Sequence, residues 1–314
     1  NAVHAKAAAD RERIARDFAR EGWAAISIDG PHGGTRNVTM GDEQLLIFNV
    51  ANPRAMRDNI RQSAIELMLA AHLGPSLTID ASGCEGLSDD AASMSEERVV
   101  LMGHSMGATI APLAMAIEPR FLALLLSGAG GSWIENVVHK ESPLPVRPLA
   151  EAILGVAGRY ELHEHDPTLM LLQWAGEGAD PPVYGRFIQG RNVLMMQGIV
   201  DTYILPPIAN ATSLSLALDL GGEGLEHTDE RSAAFDPLPP LLPLVGAETR
   251  PYPVQGNRGD ATAVVTQHPE DPIEDGHEVV FQTEGPKTQL RCFLRTLAGG
   301  GDPVVPAPDG YCPM

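Results

Sequence analysis

Two rhythms of apolar and polar positions run along this chain, and the switches between them mark its elements. Residues 5–21 set Ala9, Ile14, Ala15 and Phe18 at helical spacing among charged neighbours, and Gly22 stops the run. Residues 24–28 then read as a short buried strand, which breaks at Asp29-Gly30-Pro31-His32-Gly33-Gly34, a loop by composition. Residues 43–50 are expected to form a small strand or hairpin arm. Residues 54–73 are expected to form an amphipathic helix with Ile60, Ala64, Leu67, Met68 and Ala71 on one side, and 76–96 a loop. Residues 99–102 are continuously apolar, as a strand buried on both faces must be. A helix follows to about Ile117, and 121–126 is the next buried strand.

Strand, helix, strand in this order predicts an α/β fold: a mostly parallel sheet covered by helices on both faces. Residues 131–190 break the rhythm with several prolines and helical stretches near 148–156 and 167–174, and read as an inserted helical cap. The sheet resumes at 193–197. A helix over 206–220, an irregular Pro-rich stretch over 236–258, a last strand at 261–266 and a closing helix at 285–298 complete the core. The expected division is therefore a core of 1–130 and 191–314 around a cap of 131–190. Its Trp133, Leu144, Leu154, Leu169, Leu171, Leu172 and Trp174 either line an acyl pocket or, for most of them, form the cap's own core.

Composition narrows the function. A length of 314 residues suffices for one large domain. A formal net charge of -19 would be repelled by phosphate backbones, which excludes nucleic acid as the main partner. No stretch is long and apolar enough to span a bilayer. The three cysteines, Cys84, Cys292 and Cys312, match no metal spacing. Either Cys292 and Cys312 form a disulfide in an exported protein, or all three are unpaired in a reducing compartment; a secreted, periplasmic or outer-surface location is slightly favoured.

The chemistry concentrates at Gly103-His104-Ser105-Met106-Gly107, between an apolar strand and a helix. A serine on so sharp a turn is lifted above the sheet edge, and small flanking residues let strand and helix approach. The Met106 N–H, at the start of the helix, can face a developing oxyanion. A serine nucleophile needs a base and an orienting carboxylate. Asp201, just beyond the strand at 193–197, is the expected acid, with Asp219 a weaker choice inside a helical stretch. His277, at a Gly-flanked loop tip, is the expected base, and His268 the alternative, otherwise a strand-end residue bonded to a backbone carbonyl. His104 is expected to pack behind the site, and Glu278 to face solvent. The pair His163 and His165 is too sparse for a metal site, and Asp166 before Pro167 reads as a helix cap. Asp29 and His32 could shape a pocket at the carboxyl end of their strand. Arg258-Gly259-Asp260 is read as a chance tripeptide.

With the turn Gly-His-Ser-Met-Gly-Ala, the acid segment Gly-Ile-Val-Asp and the histidine segment Asp-Gly-His-Glu-Val-Val-Phe in place, the chain resembles the α/β-hydrolase superfamily over essentially its whole length. Residues 52–64 and 165–174 are similar to large bacterial lipase- and esterase-like members. The resemblance implies a serine esterase or lipase-like enzyme acting on small-molecule or lipid esters through an acyl-enzyme, with Ser105, Asp201 and His277 in the catalytic roles and no cofactor or metal. An amidase or peptidase of the same fold, or a catalytically silent relative acting in binding, are the alternatives. In the family a second oxyanion N–H comes from a loop preceding a helix like 5–21. Here only residues 1–4 precede it, so an upstream fragment of the same protein is expected to supply that loop and complete the sheet.

Overall fold

A computed structural model describes residues 2–49, 51–83, 89–273 and 275–313, with the side chains of 2–8 left aside. Cys84 lies outside the described residues. The chain opens with helices α1 (Ala2–Arg20), α2 (Glu43–Ile47) and α3 (Pro53–Leu73) and the hairpin β1 (Thr78–Asp80) and β2 (Ala91–Ser93). Next come β3 (Val99–His104), α4 (Met106–Ile117) and β4 (Phe121–Ser127). Helices α5 (Trp133–His139), α6 (Val146–Ile153), α7 (Pro167–Gly176) and α8 (Pro181–Ile188) are inserted before β5 (Asn192–Ile199). The remainder is α9 (Pro206–Ser215), β6 (Asp219–Gly221), β7 (Thr249–Arg250), β8 (Ala263–Pro269), α10 (Val279–Gln282) and α11 (Glu284–Ala298).

The main sheet has the order β3-β4-β5-β8-β6-β7, and every neighbouring pair is parallel. Side chains alternate between its faces. Leu101, Leu124, Leu126 and Met195 point into a core with Met56 and Ile60 of α3 and Ile208 of α9. Leu125, Leu194, Met196 and Val264 point the other way, onto Phe18 of α1, Trp23, and Leu290 and Phe293 of α11. Burial on both faces explains the unbroken apolar runs of the strands. The result is an α/β-hydrolase-like fold with helical insertions. No helix among the described residues is long and apolar enough to cross a membrane.

Local chemistry explains where elements begin. Asn52 accepts from the Ala55 N–H and Pro53 opens α3, a cap followed by the proline favoured in a first turn. Asp166 accepts from the Thr168 N–H at 2.7 Å and caps α7, as its place before Pro167 indicates. Cys292 and Cys312 are joined by a disulfide, which ties the C-terminal tail back onto α11.

Several expectations are corrected. Residues 24–28 are not a strand: they are exposed, Ile26 and Ile28 included, and no paired neighbour lies beside them among the described residues. Residues 43–50 hold the short helix α2, whose N–H groups at Gln44 and Leu45 are taken by Asp42. The loop 76–96 contains the β1–β2 hairpin. The helix expected over 206–220 stops at Ser215, and Asp219 lies in a strand, fully buried and bound by Arg250, Arg258 and Asn257. Of the seven large apolar residues named in the insertion, Trp133, Leu169 and Leu172 pack into cores beside others such as Val137 and Leu162, whereas Leu144, Leu154, Leu171 and Trp174 are exposed.

Candidate active site

Ser105 joins β3 to α4 at φ 54° and ψ -118°. A positive φ is strained for a residue with a Cβ and persists only where its surroundings hold it. Its N–H donates to the Ser127 carbonyl at the end of β4, and its own carbonyl accepts from Ala108 and Thr109 at the first turn of α4. A Cβ at position 103 would collide with the Gly107 carbonyl, so the first glycine is required for the close approach of strand and helix. A Cβ at 107 would meet nothing within 4 Å, so the second glycine is not needed on that ground. Met106 opens α4, and its N–H therefore has no acceptor within the helix.

Asp201 follows β5. Its Oδ1 accepts from the N–H groups of Tyr203 and Ile204, each at 2.8 Å, and its Oδ2 accepts from His277 Nδ1–H at 2.9 Å. Both side chains are almost fully buried, at 2% and 3% exposure. His277 occupies a single turn between β8 and α10. Asp275 fixes that turn: it accepts from the His277 N–H at 2.9 Å and from the Thr202 hydroxyl at 2.6 Å, stapling the loop that carries the imidazole to the loop that carries Asp201. Tyr203 lies flat against the imidazole, with ring centroids 4.5 Å apart and planes 16° apart. The His104 ring stands 4.9 Å away on another side.

The structure thus brings Asp201 and His277 together. It places His277 against His104, the neighbour of Ser105, and against Gly128, which follows β4. All three candidates lie at the carboxyl end of the sheet. The second imidazole nitrogen, Nε2, is buried and has no hydrogen-bond partner among the described residues, Ser105 included. With Nδ1 committed as donor to a carboxylate, Nε2 is the free acceptor, the arrangement of a general base.

The rival residues do other work. His268, on β8, bonds with the Thr266 hydroxyl rather than with a backbone carbonyl, and burial pushes it down to about 4. Glu278 does not face solvent: its carboxylate is mostly buried, 3.6 Å from His104 Nε2. His163 bonds with the Tyr160 hydroxyl, and no cluster fit for a metal occurs among the described residues. Asp29 is held below the usual carboxylate range by the Thr35 N–H and hydroxyl. Arg258 is anchored to Asp219. Asp275, Tyr203 and Gly128 were not anticipated from sequence; the signal for Asp275 was its position ahead of a tight turn. A cavity of about 730 Å³ lies between the insertion and the segments at Leu205 and Phe235, bordered also by His139, Lys140, Arg147 and Tyr160, and neither Ser105 nor His277 lines it.

The chain matches no known family profile and no curated protein. Among solved structures it is similar in outline to acetyl xylan esterase 1 from Thermoanaerobacterium sp. JW/SL YS485, with 14% identity and a TM-score of 0.40. The match covers 83% of this chain and 62% of that one. So distant a likeness says nothing of this chain's substrate.

Proposed function

We propose that the protein is a serine hydrolase that cleaves carboxylic esters. The observation that carries this reading is the buried Asp201–His277 hydrogen bond, with Nε2 left free, at the sheet end where Ser105 occupies its strained turn. Ser105 Oγ attacks the ester carbonyl carbon while His277 Nε2 takes its proton. The oxyanion is met by the Met106 N–H. Collapse expels the alcohol, which leaves with the proton from Nε2, and an acyl-serine remains. Water then attacks the acyl carbon, gives its proton to Nε2, and releases the acid as the serine oxygen recovers that proton. Asp201 holds the imidazole in the needed tautomer and stabilises its charged form. No step calls for a metal or organic cofactor.

The substrate is a small-molecule or lipid ester. Edge strand β3 and the exposed Ile26 and Ile28 support completion of the sheet by another segment of the same protein, which would also bring the second oxyanion donor. The disulfide supports an oxidising compartment. One other reading, a catalytically silent binding protein, draws on the lack of a hydrogen bond from Ser105 to His277. Fluorophosphonate labelling decides between them. Adduct mass on Ser105 and turnover of p-nitrophenyl esters, both lost in Ser105→Ala, are expected. Unchanged ester turnover in Ser105→Ala would remove the assignment, and an unlabelled wild type would favour the silent protein. An amide panel run alongside separates esterase from amidase.

A further inference from the structure

We propose that Lys140 is a positioning residue for the Asp201–His277 pair, acting through Tyr203; the inference deepens the hydrolase reading and rests on it. Lys140 closes the C-terminal end of α5, in the inserted helices, and reaches across to the loop after β5. Its Nζ donates to the Tyr203 carbonyl at 3.0 Å. The N–H of the same residue donates to Asp201 Oδ1. Tyr203 is therefore held at both ends of its main chain, by the acid on one side and by the insertion on the other. The ring so fixed is the plate on which the His277 imidazole lies. The ammonium is 5.8 Å from that ring's centroid, which puts it no more than about 10 Å from the imidazole.

Two effects follow from one group. The hydrogen bond locks the plate, and the charge sits close enough to the pair to be felt. Burial pushes the Lys140 amine down to about 8, against the attraction of the Asp201 carboxylate. The other charged and titratable groups around it are His139 and Glu141 on its own segment, Arg147 and Glu151 of α6, and Arg159, Tyr160 and Glu161 beyond it, all bordering the same cavity. Arg147 is already engaged by Glu161 and the Val138 carbonyl, and His139 by Glu135 and Glu164. Ser142 of the insertion also bonds the neighbouring Thr202, through its N–H to the carbonyl and through its hydroxyl, and Lys140 adds the charged contact to the Tyr203 carbonyl itself. The cation opposes formation of the imidazolium. Its removal takes that opposition away.

The test compares Lys140→Met, which keeps the apolar stem, Lys140→Arg, which keeps the donor and charge, and Lys140→Gln as a second neutral variant should the Met form not fold. In the full chain, Lys140→Met is expected to lower kcat about tenfold, as loss of one charge-assisted hydrogen bond would. The acid limb of its kcat/KM profile should move up by roughly half a pH unit. Lys140→Arg should restore both, and a fall in activity expected of the wild type as pH rises past about 8 should be absent from it. If Ser105 takes a fluorophosphonate label but the neutral variants keep the wild-type kcat and profile, Lys140 has no such role. If Ser105 takes no label, the hydrolase reading fails on its own. NMR titration of the His277 imidazole then decides the coupling independently: an upward displacement in Lys140→Met supports it and a superimposable curve overturns it.

Discussion

Replacing Gly128 with alanine tests how tightly the imidazole of His277 is placed. Gly128 follows β4 at φ +53°, and an added Cβ would lie 2.6 Å from His277 Cε1 and 2.7 Å from Nδ1. Carbon contacts settle near 3.5–4.0 Å, so the ring would have to withdraw by about 1 Å. It has little room to do so: Tyr203 is stacked at 4.5 Å, and Nδ1 is tied to Asp201 at 2.9 Å. A misplacement of about 1 Å in a reacting group costs on the order of 10²-fold in rate. A left-handed backbone adds about 1–2 kcal/mol of instability for any residue with a Cβ. Gly300→Ala separates the two effects. Its φ is +81° and a Cβ there meets nothing within 4 Å, so it bears the backbone strain alone. The expected result is a fall in urea stability for both variants, larger in Gly128→Ala by the cost of the clash, with p-nitrophenyl ester kcat about 10²-fold lower only in Gly128→Ala. Full turnover in a folded Gly128→Ala protein would show that the imidazole is not held in a working position by this contact.

Asp201→Asn should leave the fold intact and lower kcat about 10³–10⁴-fold, since an amide cannot hold the same tautomer; a loss below tenfold would deny Asp201 its role. Asp219→Ala strands Arg250 and Arg258 beside a buried site and should cost about 3–5 kcal/mol in denaturant unfolding, with turnover per folded molecule unchanged. Reduction of Cys292–Cys312 opens a loop of sequence separation 20 and should lower stability by about 3 kcal/mol, read as a drop in Tm that Cys292→Ser reproduces. Asp180 is buried and accepts from the Ser132 N–H and from Gln173, and burial raises it to about 6. Its native state therefore holds a proton that the unfolded chain gives up near pH 4. Its contribution is full below that pH, fades as pH rises towards 6, and amounts to about 2–3 kcal/mol. Wild-type urea midpoints should fall across this window relative to Asp180→Asn, and parallel curves would rule out the buried acid as the cause.

The strands buried on both faces were legible because nothing but apolar side chains fits there: residues 99–102 and 121–126 fall inside β3 and β4. Asp201 and His277 could be named because each lies in the first loop after a strand of that kind. Residues 24–28 show the limit of the method. Ala-Ala-Ile-Ser-Ile has strand composition, but a strand exists only with a hydrogen-bonded neighbour, and composition cannot report that one is lacking. Residues 206–220 fail for another reason. The apolar run is shared by a helix and a short strand, and Leu218 and Leu220 are buried like helix residues although the chain has turned at Ala217, where φ is positive. Tyr203, Gly128 and Lys140 were invisible because their significance lies in what they touch across more than 60 residues of chain, which no local pattern encodes.

The sheet order divides the candidate site unequally. Asp201 and His277 follow β5 and β8, adjacent internal strands each paired on both sides. Ser105 follows β3, which pairs with β4 alone among the described residues. The Asp201–His277 pair is thus set by the most constrained part of the sheet, with the loop staple of Asp275 added. The proposed nucleophile is set by the least constrained strand, held by its register with β4 and by the bond from Ser105 to Ser127. Edge strands open at lower free energy than internal ones. A segment pairing on the β3 edge would therefore act on the nucleophile turn and leave the couple unchanged. That asymmetry makes a distinct expectation. Hydrogen exchange at Met102–Ser105 should be faster than at Met195–Gln197, and pairing on the edge should slow the first set alone. Equal protection of the two sets without an added segment would mean that the edge needs no completion.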